Sequence, residues 1–416
     1  MFRKGTRKSM IERSFKADFP TETITEGTVR LLVPKLKAFV TSPSEYAPSK
    51  APVFYNPVME LNRDVAVLAL QAHQRRVNHE ITVCEPLASG GFRGTRFAAE
   101  VEGVRKVVMN DINERAVHVA KHNVNVNKLD RKAVVKNKDA NLLLSSYAAP
   151  RKRFDAIDID PFGSPVPYID SAVRAIRDNG LLALTATDTA PLCGVHPKAC
   201  IRKYGGKPLR TEYCHELAIR LLAGCLATMA AKHEVGTEIV FTHNAEHYIR
   251  VYAIMKCGAK KTDEALKNMG YVLHCFKCFH RESLAELSAI EHSGKCGECN
   301  SKLSVAGPLW IGKLVDAEFC KLMHEENSQR KLKNKEKIKK TLDLAKSEVD
   351  APVSYYVVDR LCDMLNLPVP PVKKVAEALR EEGHYAVLTQ FNPKGIKSNA
   401  SATIVKRSLQ KALSQG

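Results

Sequence analysis

Short apolar segments alternate with longer helical segments between residues 81 and 188, and this alternation restricts the possible folds more than any other feature of the chain. Strands are predicted at "ITVCEPL" (81–87), "KVVMND" (106–111), "AVVKNKDA" (133–140), 154–160 and "GLLALTATD" (180–188), with helices over 113–127 and 167–178 between them. Strands that alternate with helices form a mostly parallel sheet covered by helices. We therefore predict an α/β, Rossmann-like domain.

The rest of the chain is divided by its composition. A helix over 212–232 and a β pair over 238–256 complete the first domain, which we place at residues 1–256. The second domain, 257–416, is predicted to be smaller and of the α+β class. Its predicted parts are a cysteine cluster at 271–305, a long polar helix at 321–349 and a winged-helix-like unit at 350–416. A length of 416 residues suffices for two cores.

The charge balance favours a polyanionic partner. The chain has 64 Lys+Arg against 45 Asp+Glu, a net charge of +19, which suits nucleic acid through phosphate neutralisation. We see no membrane span and no signal peptide in the charged start "MFRKGTRKSMIERSF". The 12 cysteines are accordingly expected as reduced thiols or metal ligands of a cytoplasmic protein, or a nuclear one in a nucleated cell.

A glycine-rich turn follows the first predicted strand. "CEPLASGGFRG" places Glu85 and Gly90 where a backbone approaches a ligand closely, and Asp111 follows at the end of the next strand. A carboxylate there accepts hydrogen bonds from ribose hydroxyls, so the pattern suits an adenosine-containing cofactor. Arg93 and Arg96 are candidates for a cofactor carboxylate. The structural alternative is a tight turn with Asp111 capping a helix.

A second set of polar residues ends the strand at 154–160. In "FDAIDIDPFG", Asp160, the Pro161 carbonyl and Phe162 are consecutive at the carboxyl end of a strand, where ligands of α/β proteins bind. A carboxylate and a carbonyl can orient an exocyclic amine of a base toward a methyl donor, and an aromatic ring can stack on the base. Asp158 has the same parity as Asp160, so both lie on one face of the strand, and Asp158 is predicted either to support Asp160 or to be satisfied by backbone or arginine partners. The structural alternative is a turn stabilised by Pro and Gly.

Four cysteines have the spacing of a structural zinc site. Cys275-x-x-Cys278 and Cys296-x-x-Cys299 are separated by 17 residues, within the range of tetrahedral four-cysteine knuckles. Unrelated thiols and paired disulfides are the alternatives. The nearby histidines are predicted to lie on the surface: His274, His280 and His292. Other cysteines are predicted to pack, with histidines as hydrogen-bonding neighbours: Cys193, Cys200, Cys214, His196 and His215.

Longer motifs resemble one family along nearly the whole chain. They are "APVFYNPVMELNRD", "FRGTRF", "DIDPFGSP", "TATDTAPLCGVHPKACIRKYGG", "ELAIRLLAG" and "FNPKGIKSNA". Together they resemble the tRNA (guanine-26-N2)-dimethyltransferases of the archaeal and eukaryotic type. The resemblance implies a class I methyltransferase domain, S-adenosylmethionine as cofactor, tRNA as partner, and transfer of one or two methyl groups to guanine N2 at position 26.

The same resemblance implies roles for individual residues. It makes Asp160 the catalytic acid, with Phe54 and Phe162 holding the base. It assigns cofactor binding to Arg63, Arg96, Asp111, and Asp139 with Ala140. Lys394 and Lys397 become candidate RNA contacts, ahead of the basic segment 330–340. The chain departs from the family pattern at Val58, where a basic residue is expected, and at Glu85, where an Asp is expected.

Two other functions fit the residues. One is a methyltransferase for another RNA guanine, such as tRNA position 27. The other is a non-catalytic, zinc-containing RNA-binding protein. The oligomeric state is not set by the sequence, and we expect a monomer.

Overall fold

The computed structural model describes residues 17–40, 48–245, 247–286 and 294–414. Its strands are β1 (Thr21–Glu26), β2 (Val29–Pro34), β3 (Ile81–Glu85), β4 (Val104–Asn110), β5 (Ala133–Lys136), β6 (Phe154–Ile159), β7 (Ile176–Ala186), β8 (Val235–Ala245), β9 (Tyr248–Cys257), β10 (Met269–His274), β11 (Arg281–Leu284), β12 (Ser304–Trp310), β13 (Tyr356–Val357), β14 (Ala386–Leu388) and β15 (Gly395–Ser398). Its helices are α1 (Glu60–Val77), α2 (Phe92–Glu100), α3 (Glu114–Val126), α4 (Ala140–Ser146), α5 (Val166–Ala175), α6 (Thr189–Leu192), α7 (Pro197–Tyr204), α8 (Cys214–Ala231), α9 (Ala259–Leu266), α10 (Ala317–Gln329), α11 (Lys335–Ser347), α12 (Val358–Leu365), α13 (Val372–Glu381) and α14 (Ala402–Ser414).

The central sheet has seven strands in the order β5-β4-β3-β6-β7-β9-β8. The first five strands of that order run parallel, and β9 and β8 are antiparallel additions at one side. All six residues of β6 are buried, as expected for a strand in the middle of a covered parallel sheet. The strand order reverses between β3 and β6, so their carboxyl ends form the crevice where α/β proteins bind ligands. The predicted α/β, Rossmann-like class is confirmed.

One predicted helix is wrong. The polar segment 321–349 forms two helices, α10 and α11, rather than one. Arg330 leaves the helical conformation, and its guanidinium donates to the Glu100 carbonyl oxygen at 2.8 Å and to the Gln71 side chain at 3.0 Å. Lys333 pairs with Glu60 at 3.0 Å. Contacts with distant residues therefore override the helical preference of this segment, and part of its basic charge binds the protein itself.

The core does not end at the predicted boundary after residue 256. Strand β12 packs on helix α8 so closely that a Cβ on Gly224 would lie 3.0 Å from the Leu309 Cα. Buried residues on both sides of residue 256, including Leu221 and Phe319, belong to one apolar cluster. The division into two domains at this position stays a prediction. A separate apolar cluster holds the last unit together, in which α12, α13 and α14 pack with the sheet β13-β15-β14.

Helix α8 is long and apolar enough to cross a membrane by length and composition, with a mean hydropathy of 1.3 over 18 residues. In this fold 72% of that window is buried inside the protein, as in the core helix of a globular domain.

Candidate functional site

The glycine turn and Asp111 form one side of the crevice. Asp111 follows β4, and its carboxylate accepts the backbone N–H groups of Ser89 at 2.7 Å and of Asn113 at 2.9 Å. The turn needs left-handed backbone at Ser89 and at Gly91, with φ of 47° and 70°. Asp111 thus connects the turn after β4, in which it lies, to the glycine turn after β3. It is not the N-cap of α3, which is Asn113.

Gly90 serves close packing inside this turn. A Cβ on Gly90 would lie 2.4 Å from a ring carbon of Phe92 and 2.9 Å from a methyl carbon of Val119. The Gly90 carbonyl oxygen accepts a hydrogen bond from the Asn123 side chain at 2.9 Å. The absence of a side chain at Gly90 is therefore needed for packing, and its predicted approach to a cofactor stays a prediction.

Glu85 lies beneath the turn rather than at its surface. It is 3% exposed, and its carboxylate accepts the N–H group of Gly94 at 2.8 Å. Burial raises the pKa of Glu85 to about 8, with Asp158 and Asp160 acting in the same direction and Arg93 opposing them. The buried carboxyl therefore holds its proton near neutral pH, and its predicted contact with a cofactor stays a prediction.

We expect the stability of the protein to depend on pH through Glu85. Its pKa is raised from an ordinary value of 4.5, so the folded chain holds a proton that the unfolded chain has released. The associated stability is present at low pH and is lost as pH rises from about 4.5 to about 8. Glu85→Gln keeps an acceptor for Gly94 without the titration. The unfolding temperature of this variant, relative to wild type, should rise by about 2–5 °C between pH 5 and pH 9.

Thermal unfolding followed by circular dichroism at the two pH values measures this difference. Glu102→Gln is the matched control, since Glu102 is an exposed carboxylate in the turn after α2. A difference that is the same at both pH values for Glu85→Gln would show that the Glu85 carboxyl does not titrate in this range.

Two aromatic rings stand beside the end of β6. The rings of Phe54 and Phe162 meet edge to face with centroids 4.3 Å apart, and Phe162 is 69% exposed. The Ser89 hydroxyl donates to the Phe54 carbonyl oxygen at 2.7 Å, which fixes the segment before α1 to the glycine turn. Phe54 is thereby brought next to Phe162, and so to the Asp160 motif, from a segment far away in the chain.

A buried network of arginines and carboxylates lies behind Asp160. Arg93 of α2 donates to Asp158 at 2.6 Å and to the Asn62 side chain at 2.8 Å, and it also pairs with Asp160. Arg250 of β9 binds the second oxygen of Asp158 and is fully buried. Asp158 therefore has the arginine partners that one of the two predictions expected, and because Arg93 also pairs with Asp160, its support of Asp160 stays a prediction.

Sequence reasoning missed Asn62 and Arg250. The only trace of Arg250 in the sequence is a charge inside the apolar strand "YIRVYAIM", which signals a buried partner. Asn62 lies on α1 and has no such trace. Their roles depend on contacts across the sheet, which a single sequence does not display.

The same network sets the charge state of Asp160. Burial by itself raises the pKa of this carboxyl, but Arg93 and Arg250, together with a hydrogen bond from Thr185, hold it below its ordinary value. Asp160 is therefore ionised at neutral pH. An ionised carboxylate accepts hydrogen bonds from an amine and stabilises positive charge that develops on it.

Arg63 and Arg96 are held by carboxylates away from the network of Arg93. Arg63 pairs with Glu26 at 2.5 Å, and Arg96 pairs with Asp64 at 2.7 Å and with Glu100 at 3.0 Å. Both side chains are at most 7% exposed. Direct cofactor contact by either arginine stays a prediction, and the geometry gives both a structural role.

Asp139 and Ala140 stand at the start of α4. The Asp139 carboxylate accepts the N–H group of Leu142 at 3.0 Å as the helix N-cap, and Asp139 is exposed whereas Ala140 is buried. Exposed apolar side chains flank the two strand-end acids, with Ile112 71% and Leu142 70% exposed. The sequence analysis did not single out these two side chains.

The four knuckle cysteines converge. The Sγ atoms of Cys275 and Cys299 are 3.5 Å apart, those of Cys278 and Cys296 are 3.4 Å apart, and all four lie within 4.8 Å of one another. Thiolates at about 2.3 Å around tetrahedral zinc are roughly 3.8 Å apart. The donor set therefore fits zinc.

The histidine predictions near the knuckle are partly wrong. His274 is fully buried rather than on the surface, because it ends β10 against the rings of Phe276 and Tyr213, at 4.5 and 5.4 Å. His280 is partly buried, with Nδ1 3.0 Å from a Glu298 oxygen. His292 lies outside the described residues.

The other cysteines lie mainly where packing was predicted. Cys200 is buried, and Cys193 and Cys214 are partly buried, with the His215 ring within 4.8 Å of both thiols. His196 is exposed, and no hydrogen bond from its side chain is seen within the described residues.

One of the two predicted RNA contacts is wrong. Lys397 is 2% exposed, and its ammonium binds Glu216 at 2.9 Å and Glu348 at 3.3 Å. It connects the last unit to α8 and cannot reach a phosphate. Lys394 is exposed and pairs with Asp359 at 2.6 Å, so its RNA contact stays a prediction.

Comparisons with known proteins agree with one another. The family model "TRM: N2,N2-dimethylguanosine tRNA methyltransferase" matches residues 27–410. A tRNA (guanine(26)-N(2))-dimethyltransferase of Methanobrevibacter smithii is 42% identical over 94% of this chain and 97% of its own length. A tRNA (guanine(26)-N(2)/guanine(27)-N(2))-dimethyltransferase of Aquifex aeolicus is 35% identical over 94% of this chain and 96% of its own.

A solved structure shows the same fold. The structure described as "Complex structure of Trm1 from Pyrococcus horikoshii with S-adenosyl-L-Methionine" superposes with a TM-score of 0.80 and 34% identity. The match covers 93% of this chain and 99% of that chain.

Proposed function

Since the chain belongs to the N2,N2-dimethylguanosine tRNA methyltransferase family, we propose that it transfers methyl groups from S-adenosylmethionine to the N2 amine of guanine 26 in tRNA. One observation carries the proposal to the level of residues. Asp160, Pro161 and Phe162 follow β6 at the crevice, Phe54 faces them, and Arg93 keeps Asp160 ionised. A non-catalytic RNA-binding protein has no use for an ionised acid held in this way.

The cofactor fits the neighbouring part of the crevice. S-adenosylmethionine, when bound, supplies an electrophilic methyl group on a sulfonium sulfur. Asp111 would accept hydrogen bonds from the ribose hydroxyls, and Asp139 would accept a hydrogen bond from the adenine amino group. The exposed side chains of Ile112 and Leu142 would cover the faces of the adenine ring, which explains why apolar groups stand open beside two acids.

We expect Asp111→Asn to weaken cofactor binding. The loss of charge-assisted hydrogen bonds to two ribose hydroxyls costs about 1.5–3 kcal/mol, which corresponds to roughly a 10- to 100-fold rise in the KM for S-adenosylmethionine. The kcat at saturating cofactor should change little. Steady-state kinetics with cofactor varied and tRNA saturating measures both parameters.

Asp130→Asn provides the matched control, because Asp130 is exposed and precedes β5, at the edge of the sheet opposite the glycine turn. Thermal unfolding of Asp111→Asn shows whether the turn that this carboxylate supports is still folded. An unchanged KM in a folded variant would remove Asp111 from the cofactor site.

The acceptor amine is oriented by the Asp160 motif. The lone pair of the guanine N2 is delocalised into the ring, so the free amine is a weak nucleophile. The Asp160 carboxylate and the Pro161 carbonyl oxygen accept hydrogen bonds from its two N–H groups. These bonds fix the orientation of the amine and direct its lone pair away from both acceptors. Phe54 and Phe162 hold the base between aromatic surfaces, after the nucleotide leaves the stack.

The proton is released after the amine has become positively charged. A methylated, cationic N2 is strongly acidic, so a carboxylate of low pKa such as Asp160 accepts its proton and passes it to solvent. The lowered pKa of Asp160 means that most of its contribution is orientation and electrostatic stabilisation. Before a second methyl transfer, the monomethylated amine has one N–H group left, which can donate a hydrogen bond to one of the two acceptors.

A methyl-incorporation assay tests the function directly. Unmodified tRNA transcripts with guanine or adenine at position 26 are incubated with labelled cofactor, and the nucleosides are separated after digestion. N2-methylguanosine or N2,N2-dimethylguanosine that disappears with adenine 26 supports the proposal. Absence of any methylated guanosine with intact transcripts contradicts it.

A second acceptor is favoured by one relative. The Aquifex aeolicus protein is described as acting on guanines 26 and 27. A transcript with guanine 27 and adenine 26 distinguishes the two positions, since product on that transcript would move the target to position 27.

We also propose structural zinc at the four cysteines, and the predicted monomer and cytoplasmic location stay predictions.

A further inference from the structure

A basic surface surrounds helix α7, and we call it the α7 surface. It consists of five exposed cations: Lys198, Arg202, Lys203, Lys207 and Arg210. The segment 189–211 that carries them contains no Asp or Glu. Within the described part of the chain, Lys203 pairs with Asp188 at 2.9 Å, and the other four cations form no ion pair. The catalytic mechanism described above uses none of the five.

The α7 surface is attached to the catalytic edge. The Tyr204 hydroxyl of α7 donates to Asp188, which follows β7, at 2.5 Å. One residue earlier, Thr187 exchanges hydrogen bonds with Gly163 of the Asp160 motif, at 2.7 Å to its hydroxyl and 2.9 Å from its backbone N–H. A short chain of contacts therefore fixes α7 relative to the exposed ring of Phe162.

The position of Lys198 opposes the stability of α7, whereas Arg202 and Lys203 lie in the last turn, where the helix dipole favours a cation. Lys198 and Arg202 are four residues apart on its exposed face, where like charges repel, and Cys200 and Tyr204 form its buried face. Lys198 is also in the first turn, where the helix dipole disfavours a cation. The exposed apolar side chains of Val195 and Ile201, 48% and 47% exposed, lie on the same segment. Such a surface is suited to a polyanion that brings its own negative charge.

We propose that the α7 surface binds the phosphates of the tRNA strand next to the target guanosine and thereby positions the flipped base at Phe54 and Phe162. This inference rests on the proposed function and adds the surface that delivers its substrate. Each phosphate contact releases counterions, so the contribution of the surface should fall with salt concentration. The basic segment 330–340 provides a comparison, because two of its cations already bind Gln71, Glu326 and Glu60.

A pair of matched double variants tests the proposal. Lys198→Gln with Arg202→Gln removes two charges from the α7 surface, and Lys337→Gln with Lys340→Gln removes two exposed charges from α11. Binding of an unmodified tRNA transcript is measured by fluorescence anisotropy at several salt concentrations, and methyl transfer is measured in parallel. Thermal unfolding and S-adenosylhomocysteine binding verify that both variants are folded with an intact cofactor site.

The α7 double variant should bind tRNA about tenfold more weakly, with the slope of log K against log salt reduced by roughly 1.5. Its KM for tRNA should rise by a similar factor, whereas kcat at saturating tRNA should stay within about twofold of wild type. Unchanged affinity and slope would overturn the proposal, and so would an equal effect of the α11 variant. Failure of the proposed function gives a different result, since the wild-type protein would then make no methylguanosine at all.

Discussion

Replacement of Asp160 by alanine should abolish methyl transfer, with a fall in kcat of about a thousandfold or more. The substitution removes the carboxylate that orients the guanine amine and that stabilises the positive charge developing on it. The affinity for tRNA should stay within a few-fold of wild type, because phosphate contacts supply most of that binding. Single-turnover methyl transfer and tRNA binding on the same preparation measure the two quantities.

Asp160→Asn separates the two tasks of the carboxylate. The amide keeps an acceptor oxygen for the amine but carries no charge and accepts no proton at neutral pH. We expect activity between that of the alanine variant and that of wild type. Asp170→Asn on α5 is the control, since Asp170 is exposed and pairs with Arg174 at the surface. Wild-type turnover by the folded alanine variant would exclude Asp160 from the chemistry.

Replacement of Cys275 by serine should remove one equivalent of zinc and lower the unfolding temperature by about 10 °C or more. Among its described residues, the segment around the cysteines has a small buried cluster, formed by three of the thiols with Leu273 and Leu303, so we expect a metal to supply much of its folding free energy. Removal of one thiolate opens the tetrahedral shell. Metal analysis by mass spectrometry and thermal unfolding report the two effects.

The four-cysteine knuckle also supports the last unit of the chain. The Glu298 carboxylate, between two of the cysteines, accepts the N–H groups of Ala402 and Thr403 at 2.9 and 3.0 Å and so caps α14. Loss of zinc should therefore also release α14. Cys257→Ser is the control, because Cys257 is partly buried at the end of β9 and does not belong to the four-cysteine cluster. A wild-type protein that is fully stable without bound metal would refute a structural zinc site.

The fold and the position of the Asp160 motif were predictable because their information is local. Strand and helix periodicity between residues 81 and 188 gave the parallel sheet, and the carboxyl ends of its strands placed Asp111 and Asp160 at one edge. The spacing of the cysteines gave a cluster that the structure brings together. In each case the pattern lies within one short segment or in two segments of fixed separation.

The partners of these residues were not predictable in the same way. Arg250 of β9 binds Asp158, and Asn62 of α1 accepts a hydrogen bond from Arg93. Nothing in the sequence of either segment indicates which residue it contacts. The break between α10 and α11 depends on Arg330 finding acceptors on α1 and α2. Lys397 appeared as an RNA contact because a basic residue in a polar motif gives no sign of burial.

The sequence by itself determined the α/β class, the crevice edge that carries Asp111 and Asp160, and the four thiols of the knuckle. It did so because periodicity and short spacings follow from local backbone geometry. Only the tertiary structure decided which charges face solvent: it buries Lys397 and Arg96 in ion pairs and leaves Lys198 and Arg202 exposed. The cost of burying a charge depends on partners from distant segments of the chain. Whether a given cation is buried or exposed is therefore decided only in the folded structure.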